Sequence, residues 1–153
     1  MSAAKLKVTR STISSSSAKS QFDMSMLLAV VLLVMALLQI VSFSAFSDWF
    51  SAIGYSNGSS YAILVIILEI LGALGFVRLA LPSIVRTVSR ICAVLAAGFW
   101  FITSIRLVTD SMSQVSSSGF FGKYLTQAPS WWTVFEATLL MLWTLYALEA
   151  TKQ

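Results

Sequence analysis

Four apolar stretches, each close to the roughly 20 residues that an α-helix needs to cross a bilayer, constrain this chain more than any other feature. They run from Met24 to Ser47, from Tyr61 to Val77, from Ile91 to about Val108, and from Ser130 to Leu148, and the first carries no charged residue. Inside hydrocarbon every backbone N–H and C=O must be satisfied by the segment itself or by a closed barrel. The strict alternation and regular turns of a barrel are absent. The stretches therefore predict an all-α, integral membrane protein: a bundle of four transmembrane helices. Composition agrees, since 58% of the 153 residues are hydrophobic and 10% charged, against about 45–50% apolar in an ordinary soluble domain.

The flanks divide the chain into three parts. Residues 1–23 are Ser-rich and basic, without apolar periodicity, and read as a flexible tail. Residues 24–148 form the transmembrane domain, and 149–153 a short C-terminal tail. A signal peptide is the alternative for the first stretch, but the run is longer than a signal core and lacks a clear small-residue cleavage site.

Lys and Arg set the orientation. Lys5, Lys7, Arg10 and Lys19 lie before the first stretch, Arg78, Arg86 and Arg90 between the second and third, and Lys152 after the fourth; the other two loops hold only Lys123. Positive residues stay on the cytoplasmic side, so both termini are expected inside. Tyr61, Trp131 and Trp132 begin their helices on the outer side, where amphipathic rings prefer to sit. After the first stretch, Asp48 is placed to cap a short interfacial helix through Trp49, Phe50, Ala52 and Ile53, ending at Gly54, before Asn57-Gly58 turns the chain. Asn57-Gly58-Ser59 also fits the N-glycosylation pattern, which short sequences meet often by chance.

The residue inventory excludes much chemistry. Histidine is absent and Cys92 is the single cysteine, so there is no Cys-His or Ser-His pair, no intrachain disulfide and no ligand set for zinc or haem. No Gly-rich phosphate loop or carboxylate cluster is present. The basic residues are spread along loops and ends rather than interleaved with aromatics, which argues against nucleic acid. An enzyme is not expected, and neither is a metal.

Polar residues inside the stretches are the candidate site. Glu69 lies in the middle of the second helix, where a charge costs at least ~2.5–3.5 kcal/mol, so it is protonated, paired or lining a polar cavity. It shares a face with Ala62, Val65, Gly72, Ala73 and Phe76, and the small residues Ala62, Gly72 and Ala73 let a neighbouring helix come close. At ~1.5 Å per residue, Gln39, Glu69, Arg106 and Glu136 all fall in the outer half of the membrane, and an Arg106–Glu136 ion pair is within reach. Two readings remain. The four residues line a polar pocket for a quinone, a proton or a partner's helix, or they hold the helices together by hydrogen bonds of ~0.6–2 kcal/mol each. The second is simpler, because two carboxylates and one arginine make a poor relay.

Two segments resemble the DoxX/MauE group of small four-helix membrane proteins. Leu68-Glu69-Ile70-Leu71-Gly72-Ala73-Leu74-Gly75 followed by Arg78 is similar to the group's Glu-containing, Gly-rich second helix. Ser118-Gly119-Phe120-Phe121-Gly122, then Ser130-Trp131-Trp132-Thr133-Val134, resembles the MauE side, where a Cys-Gly-Cys-Phe-Gly motif often precedes the last helix. Ser118 and Phe120 stand in place of those cysteines, so no thiol role carries over, and Glu136 stands where that side often has arginine. The resemblance implies a four-helix scaffold working beside another protein, in a group associated with quinone-linked oxidoreductases, maturation of periplasmic redox enzymes and receptor assembly.

The expected function is a non-catalytic accessory or assembly subunit of a larger membrane complex, respiratory or otherwise redox, in a bacterial plasma membrane. Its partners would be the lipid bilayer and other integral membrane subunits. The alternative is a subunit that helps form a quinone pocket in a membrane oxidoreductase, quinone being the one cofactor the residues invite. A proton or small-solute transporter is weaker, for want of an inverted repeat or a broken helix pair.

Overall fold

The structure is a computed structural model and describes residues 24–77, 81–109, 115, 117–124 and 126–150. The basic tail 1–23, Arg78 and the last residues from 151, Lys152 among them, lie outside the described residues. Five helices and no strand are present among the described residues: α1 Met24–Val41, α2 Phe43–Ala52, α3 Gly58–Leu74, α4 Ser83–Thr109 and α5 Trp131–Ala150. Three of them, α1, α4 and α5, are long and apolar enough to cross a membrane, while α3 is a shorter apolar helix of 17 residues.

The helices bury stripes and expose faces that are equally apolar. On α1, Leu28, Ala29, Leu32, Met35 and Ala36 are buried at helical spacing, whereas Leu27, Val30, Leu33, Val34, Leu37, Ile40 and Val41 face outward. A helix in water would place polar residues on that outer face, so the exterior here is built for an apolar solvent. The interior stripes are instead small or weakly polar: Ser89, Cys92, Ala93, Ala96 and Ala97 on α4, and Thr133, Ala137, Thr144 and Ala147 on α5. Small side chains allow close backbone approach, which drives helix association when no hydrophobic effect operates. Cys92 is one such buried small residue.

Several element boundaries differ from the sequence expectation. The first stretch is not one helix to Ser47: the chain bends at Ser42, and α2 starts at Phe43. Ser42 Oγ donates to the Leu38 carbonyl four residues back at 2.7 Å, a bond that tends to bend helices, and the hydroxyl also accepts the Lys123 backbone N–H at 3.4 Å. Asp48 therefore does not cap the short helix; it lies inside α2, whose exposed side it occupies. The end at Gly54 is as expected, with φ +97°. Gly58 begins α3 rather than sitting in the turn, and a Cβ there would collide with the Ser47 carbonyl and the Ser51 hydroxyl of α2. α4 starts eight residues before Ile91, because nothing in Ser83–Arg90 breaks a helix once Pro82 has been passed. Arg86 and Arg90 thus belong to a helix, not a loop.

Candidate functional site

Glu69 is placed by the 3.6-residue period of α3 on the buried face that also holds Ala62, Val65, Ile66, Gly72 and Ala73. Gly72 is where α3 meets α4: a Cβ at this position would lie 2.8 Å from Ala93 Cα and 2.9 Å from Ala93 N. That close approach brings α4 alongside and directs Trp100 across at Glu69. The Trp100 indole N–H donates to Glu69 Oε1 at 2.7 Å. From α1, Gln39 Nε2 donates to the same oxygen at 3.2 Å and also to the Phe120 carbonyl at 3.0 Å. One carboxyl oxygen and one amide nitrogen thereby join α1, α3, α4 and the segment before α5. Gln39, Glu69 and Trp100 are each 0% exposed. Their remaining oxygens, Glu69 Oε2 and Gln39 Oε1, are buried without a hydrogen bond from the protein.

The 117–124 segment is folded into the bundle rather than lying over it. Phe120 is buried and stacks on Trp100, with centroids 4.6 Å apart at 23°. Trp49 Nε1 donates to the Ser117 carbonyl at 2.8 Å, and Ser118 N to the Gln127 carbonyl at 2.7 Å. Gly119 and Gly122 take φ +81° and +60°, a region that side chains other than glycine enter at a cost. At Gly119 a Cβ would also lie 2.6 Å from the Trp49 ring, and at Gly122 it would collide with Ser42 Oγ. Phe46, Trp49, Trp100 and Phe120 form a continuous aromatic wall. α2 and this segment line an open cavity of about 290 Å³, with Phe46, Trp49, Ser117 and Gly119 in its wall and Asp48 and Lys123 as its charged lining residues.

Of the four polar residues singled out in the sequence, the fold brings together Gln39 and Glu69 only. Arg106 is exposed near the C-terminal end of α4, by a crevice with Ile53, Tyr55, Thr103 and Leu107. Glu136 is half-buried on α5, beside the packing face of Thr133, Ala137 and Leu140. No ion pair joins Arg106 to Glu136. Their depth along the bundle suits a pair, but a pair also needs matching helix rotation, and α4 turns Thr103, Ser104 and Leu107 inward instead.

Trp100 and the Phe120 carbonyl complete the site and were not anticipated. A depth count offered a signal for the tryptophan: it lies eight residues before Val108, roughly 12 Å down the helix at ~1.5 Å per residue, the same depth as Glu69 below Tyr61. A buried indole N–H needs an acceptor, and Glu69 was the acceptor at that level. The carbonyl had no such signal. No family model matches the chain, and no curated protein or solved structure shows significant similarity to it.

Proposed function

We propose that this chain is a non-catalytic accessory or assembly subunit of a larger membrane complex, respiratory or otherwise redox, in a bacterial plasma membrane. It would cross the bilayer four times with both termini cytoplasmic, α2 lying in the outer interface. The closed Gln39–Glu69–Trp100–Phe120 cluster carries the reading: its polar groups are fully buried, and its donors serve the chain's own acceptors. Such a cluster fixes how helices sit against each other. The apolar exterior, with Trp131, Trp132 and Phe135 exposed at one end of α5, offers surface to lipid and to neighbouring subunits. The likeness of the Glu69 helix and the Ser118–Gly122 segment to the DoxX/MauE group supports a scaffold of this kind.

A second reading, a subunit that helps form a quinone pocket, draws on one observation: Glu69 Oε2 and Gln39 Oε1 have no protein partner. A buried polar group left so costs about 1–3 kcal/mol; a protonated Glu69 Oε2 would donate to a quinone carbonyl, and Gln39 Oε1 would accept from the hydroxyl of the reduced headgroup. Glu69→Gln separates the two readings. Gln retains an oxygen for the Trp100 and Gln39 donors in nearly the same shape, so a scaffold should assemble and its complex should work at close to the wild-type level. Native gels and turnover on the same membranes test this. An intact but inactive Glu69→Gln complex would overturn the accessory reading in favour of the quinone site. Purification in mild detergent with mass spectrometry of what co-purifies identifies the partner subunits or the bound quinone.

Topology has its own test. In a Cys92→Ser background, single cysteines at 51 and 126 should react with impermeant thiol reagents from outside intact cells. A cysteine at position 5 should react only after lysis. Labelling of position 5 in intact cells would reverse the orientation.

A further inference from the structure

The cavity between α2 and the segment before α5 combines an apolar wall with both signs of charge. Phe46, Trp49, Ala52 and Val115 give it carbon surface, and Asp48 and Lys123 line it with one carboxylate and one ammonium group. Both charged side chains are exposed. No ion pair joins them among the described residues; Lys123 Nζ lies 5.4 Å from the centroid of the Tyr124 ring. The two walls are fixed against each other. Trp49 Nε1 donates to the Ser117 carbonyl at 2.8 Å, the Lys123 backbone N–H donates to Ser42 Oγ at 3.4 Å, and a Cβ at Gly119 would lie 2.6 Å from the Trp49 ring. The backbone positions of Asp48 and Lys123 are therefore set before any ligand arrives, which lowers the ordering cost of binding. At about 290 Å³ the cavity lies at the small end of ligand clefts, which run to ~1,000 Å³. It suits a headgroup or a small metabolite, not a helix.

We propose that this cavity binds an ammonium–phosphate zwitterion of the phosphoethanolamine type, its ammonium on Asp48, its phosphate on Lys123 and its methylenes against the apolar wall. Charge selects the occupant. A simple anion at Lys123 would stand beside the like charge of Asp48, a simple cation at Asp48 beside that of Lys123, and a neutral molecule would desolvate both without compensation. A zwitterion answers both in charge-assisted hydrogen bonds. Because the two residues stand on different walls and form no ion pair, the ligand's charges must be separated as well. An α-amino acid carries both on one carbon, whereas phosphoethanolamine places two methylenes and an ester oxygen between nitrogen and phosphorus. The same group occurs as a soluble ester and as a phospholipid headgroup. The lipid source rests on the reading of α2 as interfacial; the binding chemistry does not.

The test uses the full chain purified in a non-ionic detergent and native mass spectrometry. Phosphatidylethanolamine and phosphatidylglycerol of identical acyl chains, and glycerophosphoethanolamine, which has the headgroup without the chains, are added in turn. Phosphatidylethanolamine should be retained about tenfold over phosphatidylglycerol, the worth of one hydrogen bond to a charged group. Asp48→Asn should bring the two lipids level, and Asp48→Lys, which makes the site doubly basic, should reverse their order, a result that a merely structural Asp48 would not give. Lys123→Gln should weaken retention of both. Variants are compared after circular dichroism and gel filtration show wild-type helicity and size. Retention of glycerophosphoethanolamine by the wild type and not by Asp48→Lys supports the site with a soluble ligand. Retention of phosphatidylethanolamine alone, with the reversal, supports it with the membrane as source. Equal retention of the two lipids with no retention of glycerophosphoethanolamine overturns the site, as does wild-type behaviour in Asp48→Lys and Lys123→Gln. Assembly into a complex is not part of this readout, so the accessory reading stands or falls separately.

Discussion

Gly72→Leu is expected to leave no folded bundle to purify. The first added carbon would meet Ala93 Cα and N at 2.8 and 2.9 Å, and these are backbone atoms that cannot rotate away. α3 and α4 would have to separate along the line that also carries Ala62, Val65, Ala73 and Ala97, all buried. Overpacking that side-chain shifts can absorb costs about 1–3 kcal/mol, and moving a helix backbone costs more. Separation would also draw Trp100 away from Glu69. Gly72→Ala places the same first carbon against the same backbone atoms without the further bulk, and should lose about 3 kcal/mol or more, still less than Leu. Unfolding in mixed SDS and mild-detergent micelles, followed by helicity, measures both. A Gly72→Leu protein that folds with the stability of the wild type would mean that α3 and α4 do not meet at Ala93.

The second large effect is expected at Gln39. Replacing it with Leu keeps approximate volume but removes the amide that serves both Glu69 Oε1 and the Phe120 carbonyl. Two buried acceptors lose a donor at once, for an expected loss of roughly 2–4 kcal/mol. Trp100→Phe removes one donor to Glu69 and keeps a ring against Phe120, so its cost should be smaller, about 1–2 kcal/mol. Because both donors meet on one oxygen, the double variant should depart from additivity. The local signature of Gln39→Leu is at the far end of its second bond: the 117–124 segment, held there and by Trp49, should become more open to protease and to labelling at an introduced Ser118→Cys. Unchanged protection of that segment would count against Gln39 as its tether.

The helical character of these elements was legible because it rests on local physics. A run of apolar residues as long as a bilayer is thick has one way to satisfy its backbone, and α1, α4 and α5 follow from that, while α3 is a shorter apolar helix of 17 residues. The inward face of α3 was legible for the same reason, since Glu69, Gly72 and Ala73 recur at helical spacing and a carboxyl group avoids hydrocarbon. Boundaries were less legible. Hydropathy alone runs through Ser42, where a side-chain hydroxyl bonded to Leu38 and a glycine loop packed against it make the bend. It also stops short of Ser83–Arg90, where charged residues end the apolar run without ending the helix.

The site itself divides along the same line. The sequence by itself determined that Glu69 and Gln39 would be costly in a membrane and would need partners, because burial of a polar group depends on residue type and on depth along one helix. Which partners they found was decided only by the tertiary structure. Depth can be counted along a chain, but pairing depends also on the rotation of each helix about its axis and on the order in which helices pack. Arg106 and Glu136 had suitable depths and did not pair. Trp100 paired because the Gly72–Ala93 approach turned it toward Glu69. The Phe120 carbonyl joined because Gly119 and Gly122 let the chain double back into the bundle, and a backbone acceptor has no sequence signature of its own.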